Sequence, residues 1–542
     1  MQFFDANVQI GRYRQLAEGM PFSREALIDD MDRFGIAEAL VLDSLSREVH
    51  AGCGNERVLD WTRDEPRLHP AWALLPPQTG ELGPLDELPD RMIQAGVRAA
   101  KLFPGHYTFS LQQWCVGDLL QVLEQHRVVT FIDYNESFVG TPMDATNWDA
   151  VVALCRAYPK LPVVVSEGRF RSANRMMYEA LDKCPNLHFE ISGFWAHRGI
   201  EYVCREFGSD RLLFGSKWPV REIGGEIATT RFAQIAPEEM ANIAGDNLRR
   251  LLGEAFPSAP AVDRGPAVTV RAPEDASLRA RAMRAEPPMG EVVIDSHAHL
   301  GQATIYHLAD SSPAQVEQEM QRLGVRCSIV FGYSGVIGDW THDNDLVARA
   351  MQDHPGRYLG LLIINPTSPT QARQELDRCA DKGFIGVKLI PHYQGYPEEG
   401  PNLEIPVAWA NERGMIVLNH SWGSPDHLRG LAEKYPDATF ICGHYSLAYA
   451  RVVNNYPNVY QCTCEPLGYN AMEILVGSVD PAKILYGSDV TDLPIPLGMG
   501  PILHARIDEG AKKAILGLNA LGILRRMGID PAPATPAIAP QQ

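Results

Sequence analysis

FFDANVQIG, from Phe3 to Gly11, returns downstream as VIDSHAHLG, from Val293 to Gly301. The echo continues in order. FGIAEALVLD from Phe34 matches LGVRCSIVFG from Leu323, and GNERVLDW from Gly54 matches DNDLVARA from Asp343. VRAAKLFP around Lys101 matches FIGVKLIP around Lys388, and LLFGSKWPVRE around Lys217 matches ILYGSDVTDLP around Asp489. DNLRRLLG from Asp246 closes the first copy as LNALGILR from Leu518 closes the second. Matches that keep their order over this length mark a tandem duplication, so the halves share one fold. The first copy carries one extra stretch, FVGTPMDATNW from Phe138 to Trp148.

Within the second copy, short apolar runs alternate with amphipathic helical segments. The runs are VVID, CSIVFG, YLGLLIIN, GVKLI, MIVLNH, TFICGH, VYQCTC and ILYGSD; SPAQVEQEMQRLG and SPTQARQELDRCADKG are among the segments between them. Eight strands with a helix after each predict parallel strands closed into a barrel. Each copy is about 250 residues long, the usual size of that fold. The chain therefore reads as two tandem (β/α)8 TIM-like barrels, residues 1–255 and 291–529. A Pro/Ala/Arg-rich stretch without apolar periodicity, residues 256–290, reads as a linker. The Pro/Ala-rich end, residues 530–542, reads as a disordered tail.

Composition excludes several other classes. The 542 residues are 45% hydrophobic and 21% charged, as in ordinary globular proteins rather than disordered or fibrous ones. With 49 basic against 67 acidic residues, a net charge of −18 argues against nucleic acid or anionic membrane as partner. No run of 18 apolar residues and no signal-like start are seen, so neither a membrane span nor a leader is expected. The ten cysteines, among them Cys155, Cys327 and Cys442 inside hydrophobic runs, read as free thiols of a reducing cytosol, and the chain as cytoplasmic. Cys462 and Cys464 share one face of a strand, a weak metal signal by themselves.

In such barrels chemistry gathers at the C-terminal ends of the strands. The second copy's first strand ends Asp295-Ser-His297-Ala-His299, and a period of two points both histidines the same way. The fifth ends at His420, the sixth at His444 and the eighth at Asp489. Imidazole and carboxylate together suit Zn²⁺, or Mn²⁺ or another divalent ion, and one such metal is expected. A bound ion of this kind brings the pKa of its water to about 7. Tyr333, His392, Trp422 and Tyr445 fall at or just past strand ends and are expected, with Lys388, to line a substrate pocket. Asp492 reads as a loop cap, and Asn344, matched by Asn55, as a structural cap.

The motifs DSHAHLG, GVKLIP, NHSW, CGHYS and YGSD, spread from Glu291 to Arg526, resemble the amidohydrolase superfamily, and more narrowly its amidohydrolase-2 branch of aminocarboxymuconate-semialdehyde-decarboxylase-like enzymes. The resemblance implies that His297, His299, His420 and Asp489 bind the metal. It implies that Asp489 also handles the proton of the attacking water and that His444 assists as acid/base. Two departures stand out. The family often has Lys-Leu-His-Pro where this chain has Lys388-Leu-Ile-Pro, with a histidine displaced to His392, and Glu465 follows Cys464 where small residues are usual. In binuclear relatives a strand-four lysine bridges two metals. Lys101 persists in the first copy, however, so Lys388 reads instead as structural or substrate-contacting and the site as mononuclear.

The first copy has lost every ligand. His297 faces Asn7, His299 faces Gln9, His420 faces Asp133, His444 faces Glu167 and Asp489 faces Lys217. That set cannot make a usual zinc site. It reads as a satisfied polar network, with a Lys217 nucleophile as the sharper alternative. The expected function is hydrolysis of a C–N or C–O bond (amide, cyclic amide or lactone) of a small metabolite in the second barrel. The alternatives are non-oxidative decarboxylation of an unsaturated or aromatic acid, and a non-catalytic scaffold. The inactive copy is expected to act as a built-in partner, a pseudo-dimer within one chain, with further homo-oligomers open and the Phe138–Trp148 stretch as a candidate contributor to the active mouth.

Overall fold

Sixteen parallel strands form two eight-stranded sheets in the computed structural model, which describes residues 2–13, 19–134, 146–166, 170–262, 264 and 268–531. The first sheet comprises β1 (Phe3–Ile10), β2 (Ile36–Asp43), β3 (Leu68–Ala73), β4 (Ala99–Leu102), β5 (Val129–Asp133), β6 (Val163–Ser166), β7 (Leu187–Glu190) and β8 (Leu212–Leu213). The second comprises β9 (Val293–Leu300), β10 (Val325–Gly332), β11 (Tyr358–Ile363), β12 (Gly386–Leu389), β13 (Ile416–Asn419), β14 (Thr439–Cys442), β15 (Val459–Cys462) and β16 (Ile484–Leu485). Nearly every strand residue is buried, as expected where helices cover one face and a packed barrel interior the other. Each strand pairs with its sequence neighbour. Backbone bonds close the circle: Ala6 N–H donates to Phe214 O (2.9 Å) in one barrel, and Ser296 N–H to Tyr486 O (2.8 Å) in the other. Both copies are thus (β/α)8 barrels, and register confirms their equivalence. Lys101 pairs with Ala73 and Phe131, and Lys388 with Ile363 and Leu418.

The chain divides into two units, Met1–Pro273 and Glu274–Gln542. The joining segment is built into both. In the first unit the Arg264 guanidinium donates to Leu68 O and Val270 N–H to the Gln2 side chain. In the second, a short helix, Leu278–Met283, is capped by Ser277, buries Leu278, Ala280, Ala282 and Met283, and takes Glu509 as acceptor for Leu278 N–H. The described residues of 256–290 are therefore anchored on each side of Pro273. Most of the Phe138–Trp148 stretch and of the C-terminal tail lies outside the described residues.

Inside each barrel the core is a stack of branched and aromatic side chains. Ile294, Phe331, Ile363, Leu418, Ile441 and Leu485 fill the second, and Phe4, Leu40, Phe131, Val164 and Leu213 the first. These layers carry the strand ends above them as a rigid frame. Among the described residues no helix is long and apolar enough to cross a membrane.

Candidate metal centre

β9 does not run evenly into the site. Its pairing with β10 shifts register between Asp295 and Ala298, as the pairing of β1 with β2 shifts between Asp5 and Val8. Such an irregularity re-aims side chains, yet both imidazoles still reach one atom. Asp489 Oδ1 lies 3.0 Å from His299 Nε2 and 3.4 Å from His297 Nε2. Asp489 is presented from a left-handed backbone turn (φ 64°) just past β16. Asp295 secures that turn: it accepts from the amide N–H groups of Ser488 (3.0 Å) and His297 (3.1 Å), and from the Ser488 hydroxyl. Burial drives the Asp295 pKa up to about 7 against those bonds. The first barrel keeps the same brace, with Asp5 accepting from the N–H groups of Asn7 and Ser216. A brace retained where the metal ligands are gone is structural.

His297 is 1% exposed, and its Nδ1 lies 2.6 Å from the Gly443 carbonyl oxygen. A carbonyl only accepts, so Nδ1 carries the proton. Burial, and then the neighbouring Lys388, push the His297 pKa well below the ordinary histidine range, so the ring is neutral. Nε2 therefore presents a lone pair towards Asp489 Oδ1, with Lys388 Nζ 3.3 Å away. Two electron-rich atoms facing each other in a buried place call for a cation between them. The His299 Nδ1, buried without a hydrogen-bond partner, adds another donor lone pair or an unmet N–H. Three imidazole and carboxylate groups on rigid strand ends fit a divalent ion. Asp489 is disposed to hold one. Burial raises its pKa, but the hydrogen bond from His299 and the imidazoles gathered around it outweigh this and hold the carboxyl well below its usual range.

The sequence-predicted residues divide into groups. His297, His299 and Asp489 meet within 4.8 Å. His420 stands beside His444 instead, ring centroids 4.3 Å apart, and burial followed by the His444 charge lowers its pKa to about 3. His444 in turn lies 5.0 Å from the His297 ring and contacts Cys464 Sγ through Nδ1 at 3.5 Å. Lys388, buried by the barrel interior to a pKa of about 7, sits over the Phe331 ring at 4.4 Å. Tyr333 stacks near His299 (5.0 Å) and donates to Asp492 Oδ1 at 3.2 Å. His392 is exposed and packs on Tyr393, which in turn packs against His420. Tyr445 is half-buried, its N–H bonded to Cys464 O.

Trp422 is a correction. It is 0% exposed, packs on Phe440 and donates Nε1–H to Ile441 O at 3.2 Å, so it belongs to the barrel wall and does not line a pocket. A large apolar ring beside a strand end is stabilised more by burial than by facing a wet site. Asp492 is the opposite case. Read as a loop cap, it also joins Glu465 and Asp489 in a group whose oxygens lie within 4.8 Å of one another. Tyr306, whose hydroxyl meets that of Tyr333, also went unpredicted.

In the first barrel the replacements interlock. The Lys101 ammonium donates to Asn7 Oδ1 at 2.8 Å and lies 3.7 Å from Asp133 Oδ2. Asn7 Nδ2–H donates to Glu190 Oε2 at 2.8 Å, which also accepts from the Ser192 hydroxyl at 2.9 Å. By register Glu190 occupies the position of Cys462, so an added carboxylate stands inside this barrel. Lys217 keeps the left-handed turn of Asp489 (φ 58°) and, with Lys101, draws the Glu190 pKa down against the larger effect of burial. Gln9 is buried; Glu167 lies outside the described residues.

An amidohydrolase family model matches residues 17–253 and again 294–526, so the chain belongs to the amidohydrolase family, once in each barrel. Members of that family are enzymes, hydrolases or decarboxylases, typically dependent on a divalent metal. Over 95 residues the chain is 33% identical to the L-fucono-1,5-lactonase of Burkholderia ambifaria. That match covers 14% of this chain and 32% of the lactonase, about a third of that relative's length. Among solved structures, an uncharacterised TIM-barrel protein from Bordetella bronchiseptica aligns with 47% of this chain and 99% of its own, at 17% identity and a TM-score of 0.38. The 5-carboxyvanillate decarboxylase of Sphingomonas paucimobilis aligns with 44% of this chain and 99% of its own, at 16% identity and a TM-score of 0.35.

Proposed function

We propose that the second barrel hydrolyses a carbonyl-linked C–O or C–N bond of a small neutral metabolite, a lactone first and an amide or cyclic amide next. The observation that carries this is the carboxylate trio Glu465, Asp489 and Asp492 at the strand ends. With a divalent ion bound, the three carboxylates still leave one negative charge unbalanced, which disfavours an anionic substrate, and Lys388, with its pKa brought to about 7 by burial, is only a partial counter-charge. A neutral ester or amide meets no such barrier, whereas an aromatic or unsaturated acid does. The stretch shared with a lactonase supports the same choice.

His297, His299 and Asp489 would hold the metal, with His420 and His444 beside them. When bound, a divalent cation supplies Lewis acidity to the substrate carbonyl and acidifies water. Asp489 accepts the proton of the attacking water and returns it to the leaving oxygen or nitrogen, as a carboxylate kept ionised can. His444, placed between the His297 and His420 rings, orients the substrate side of that transfer. The test is a panel of neutral lactones and cyclic amides, followed by acid release, beside aromatic and unsaturated acids followed by CO₂ release. Turnover of a neutral lactone, lost in His297→Ala, is the expected result. CO₂ release without hydrolysis would establish a decarboxylase and overturn the reading.

A further inference from the structure

We infer that Cys464 is a ligand of the same cation, so that the centre is a thiolate-containing one. This rests on the metal-site reading above. The ligand atoms of His297, His444 and Cys464 lie within 4.8 Å of one another, as do those of His297, His299 and Asp489. His297 belongs to both groups. With its Nδ1 spent on the Gly443 carbonyl, only Nε2 is left to offer to either. The two groups therefore meet at the His297 ring, with the thiol in one and the carboxylate in the other.

The duplicated barrel supplies an independent observation. What it keeps is the frame: Asp5 for Asp295, Ser216 for Ser488 and Lys101 for Lys388. What it loses is the donor set: Asn7 for His297, Gln9 for His299, Asp133 for His420 and Lys217 for Asp489. Register places Ser192 opposite Cys464, so the thiol disappears with the ligands and not with the frame. In its place the Ser192 hydroxyl turns to Glu190. Charge points the same way. One carboxylate and one thiolate among its ligands match the charge of a divalent ion, with Glu465 and Asp492 left as outer charges, which lowers the cost of holding it among side chains as buried as His297 (1% exposed) and Cys464 (1% exposed). On binding, the thiol gives up its proton to solvent and a sulfur–metal bond forms. Soft sulfur then selects Zn²⁺, Co²⁺ or Cd²⁺ over Mn²⁺ and Mg²⁺.

The experiment uses the full chain, freed of metal by a chelator and titrated with Co²⁺ and with Cd²⁺ while near-ultraviolet thiolate-to-metal absorption is followed. About one equivalent should bring up the band. Cys464→Ser should abolish it and weaken Cd²⁺ binding roughly tenfold or more while Mn²⁺ binding changes little; Cys462→Ser should leave the band in place. X-ray absorption of the wild-type zinc form needs no variant, and should show one sulfur at about 2.3 Å. One equivalent bound with no band and no sulfur neighbour, or a band that survives Cys464→Ser, overturns the thiolate ligand and leaves the metal site standing. Failure of the wild-type chain to bind any of these ions overturns both.

Discussion

Asp489 and Lys217 share one backbone turn, and exchanging a carboxylate for an ammonium there inverts the field at the mouth of a barrel. If Asp489 moves the proton, Asp489→Asn should leave the fold intact and lower kcat/KM by about 10²–10⁴-fold, read by steady-state kinetics beside metal analysis. A variant of near wild-type rate would remove Asp489 from the proposed mechanism. Protonation also couples to stability in the first barrel. Burial lifts the Asp5 pKa to about 7, so the folded state holds a proton that the unfolded chain has lost above its ordinary value of 3.8. This contribution is present at low pH and lost as pH rises to about 7. His188 runs the other way. Burial, and then Arg211, lower its pKa to about 4, so its contribution is present above the ordinary value of 6.5 and lost as pH falls towards 4. The two slopes oppose each other over nearly one window. His188→Gln should steepen the fall of stability with pH and Asp5→Asn should flatten it, in melting temperatures measured from pH 4 to 8. Unchanged profiles in both variants would discount the two groups. At this scale the strand-end residues were legible because type and spacing announce them. Glu190, Asp492 and the burial of Trp422 were not, because each depends on which neighbour a side chain meets across the barrel.

Strands are the elements that the alternation of apolar runs and helical segments predicts best, and all eight runs read in the second copy became strands in the order expected. Two features escaped that reading. The shift of register within β9 adds no residue type of its own to the sequence. The Leu278–Met283 helix is too short for a period to show and is held by what it buries. Asn344 was read as a cap, but its role spans two elements. From the helix Trp340–Asp353 its amide donates to Ile363 O (3.1 Å) and accepts Ile363 N–H (2.9 Å) at the end of β11. Asn55 repeats this bracket on Ala73 at 2.8 Å in both directions. The bracket satisfies two backbone groups where the ladder ends. Asn344→Leu should therefore cost roughly 2–5 kcal/mol, the price of two buried groups left unpaired. Denaturant unfolding measures it, and a loss under about 0.5 kcal/mol, the range of a neutral surface change, would show that water replaces the bracket.

Across the whole molecule the duplication places two copies of one frame in a chain and leaves the donor set in one of them. One equivalent of divalent metal per chain should follow, all of it in the second unit, since Asn7, Gln9 and Lys217 offer no comparable set. Where the chain is cut decides whether this can be observed. Pro273 ends the first unit, and the segment after it belongs to the second. A fragment of residues 274–542 keeps Leu278 and Met283 buried and the Leu278 N–H to Glu509 contact. A fragment begun at residue 291 loses both side chains, at about 1.5–3 kcal/mol for each one fully buried. The longer fragment should bind one equivalent of Zn²⁺ and melt above the shorter one, and the fragment of residues 1–273 should bind none, as calorimetry and metal analysis will show. Metal bound tightly by residues 1–273 would contradict the reading of the first barrel as a metal-free network. A fragment of residues 274–542 that is soluble and turns over substrate at the full-length rate would show that the first barrel lends the second no catalytic group. In that case the copy persists for a reason outside the reaction.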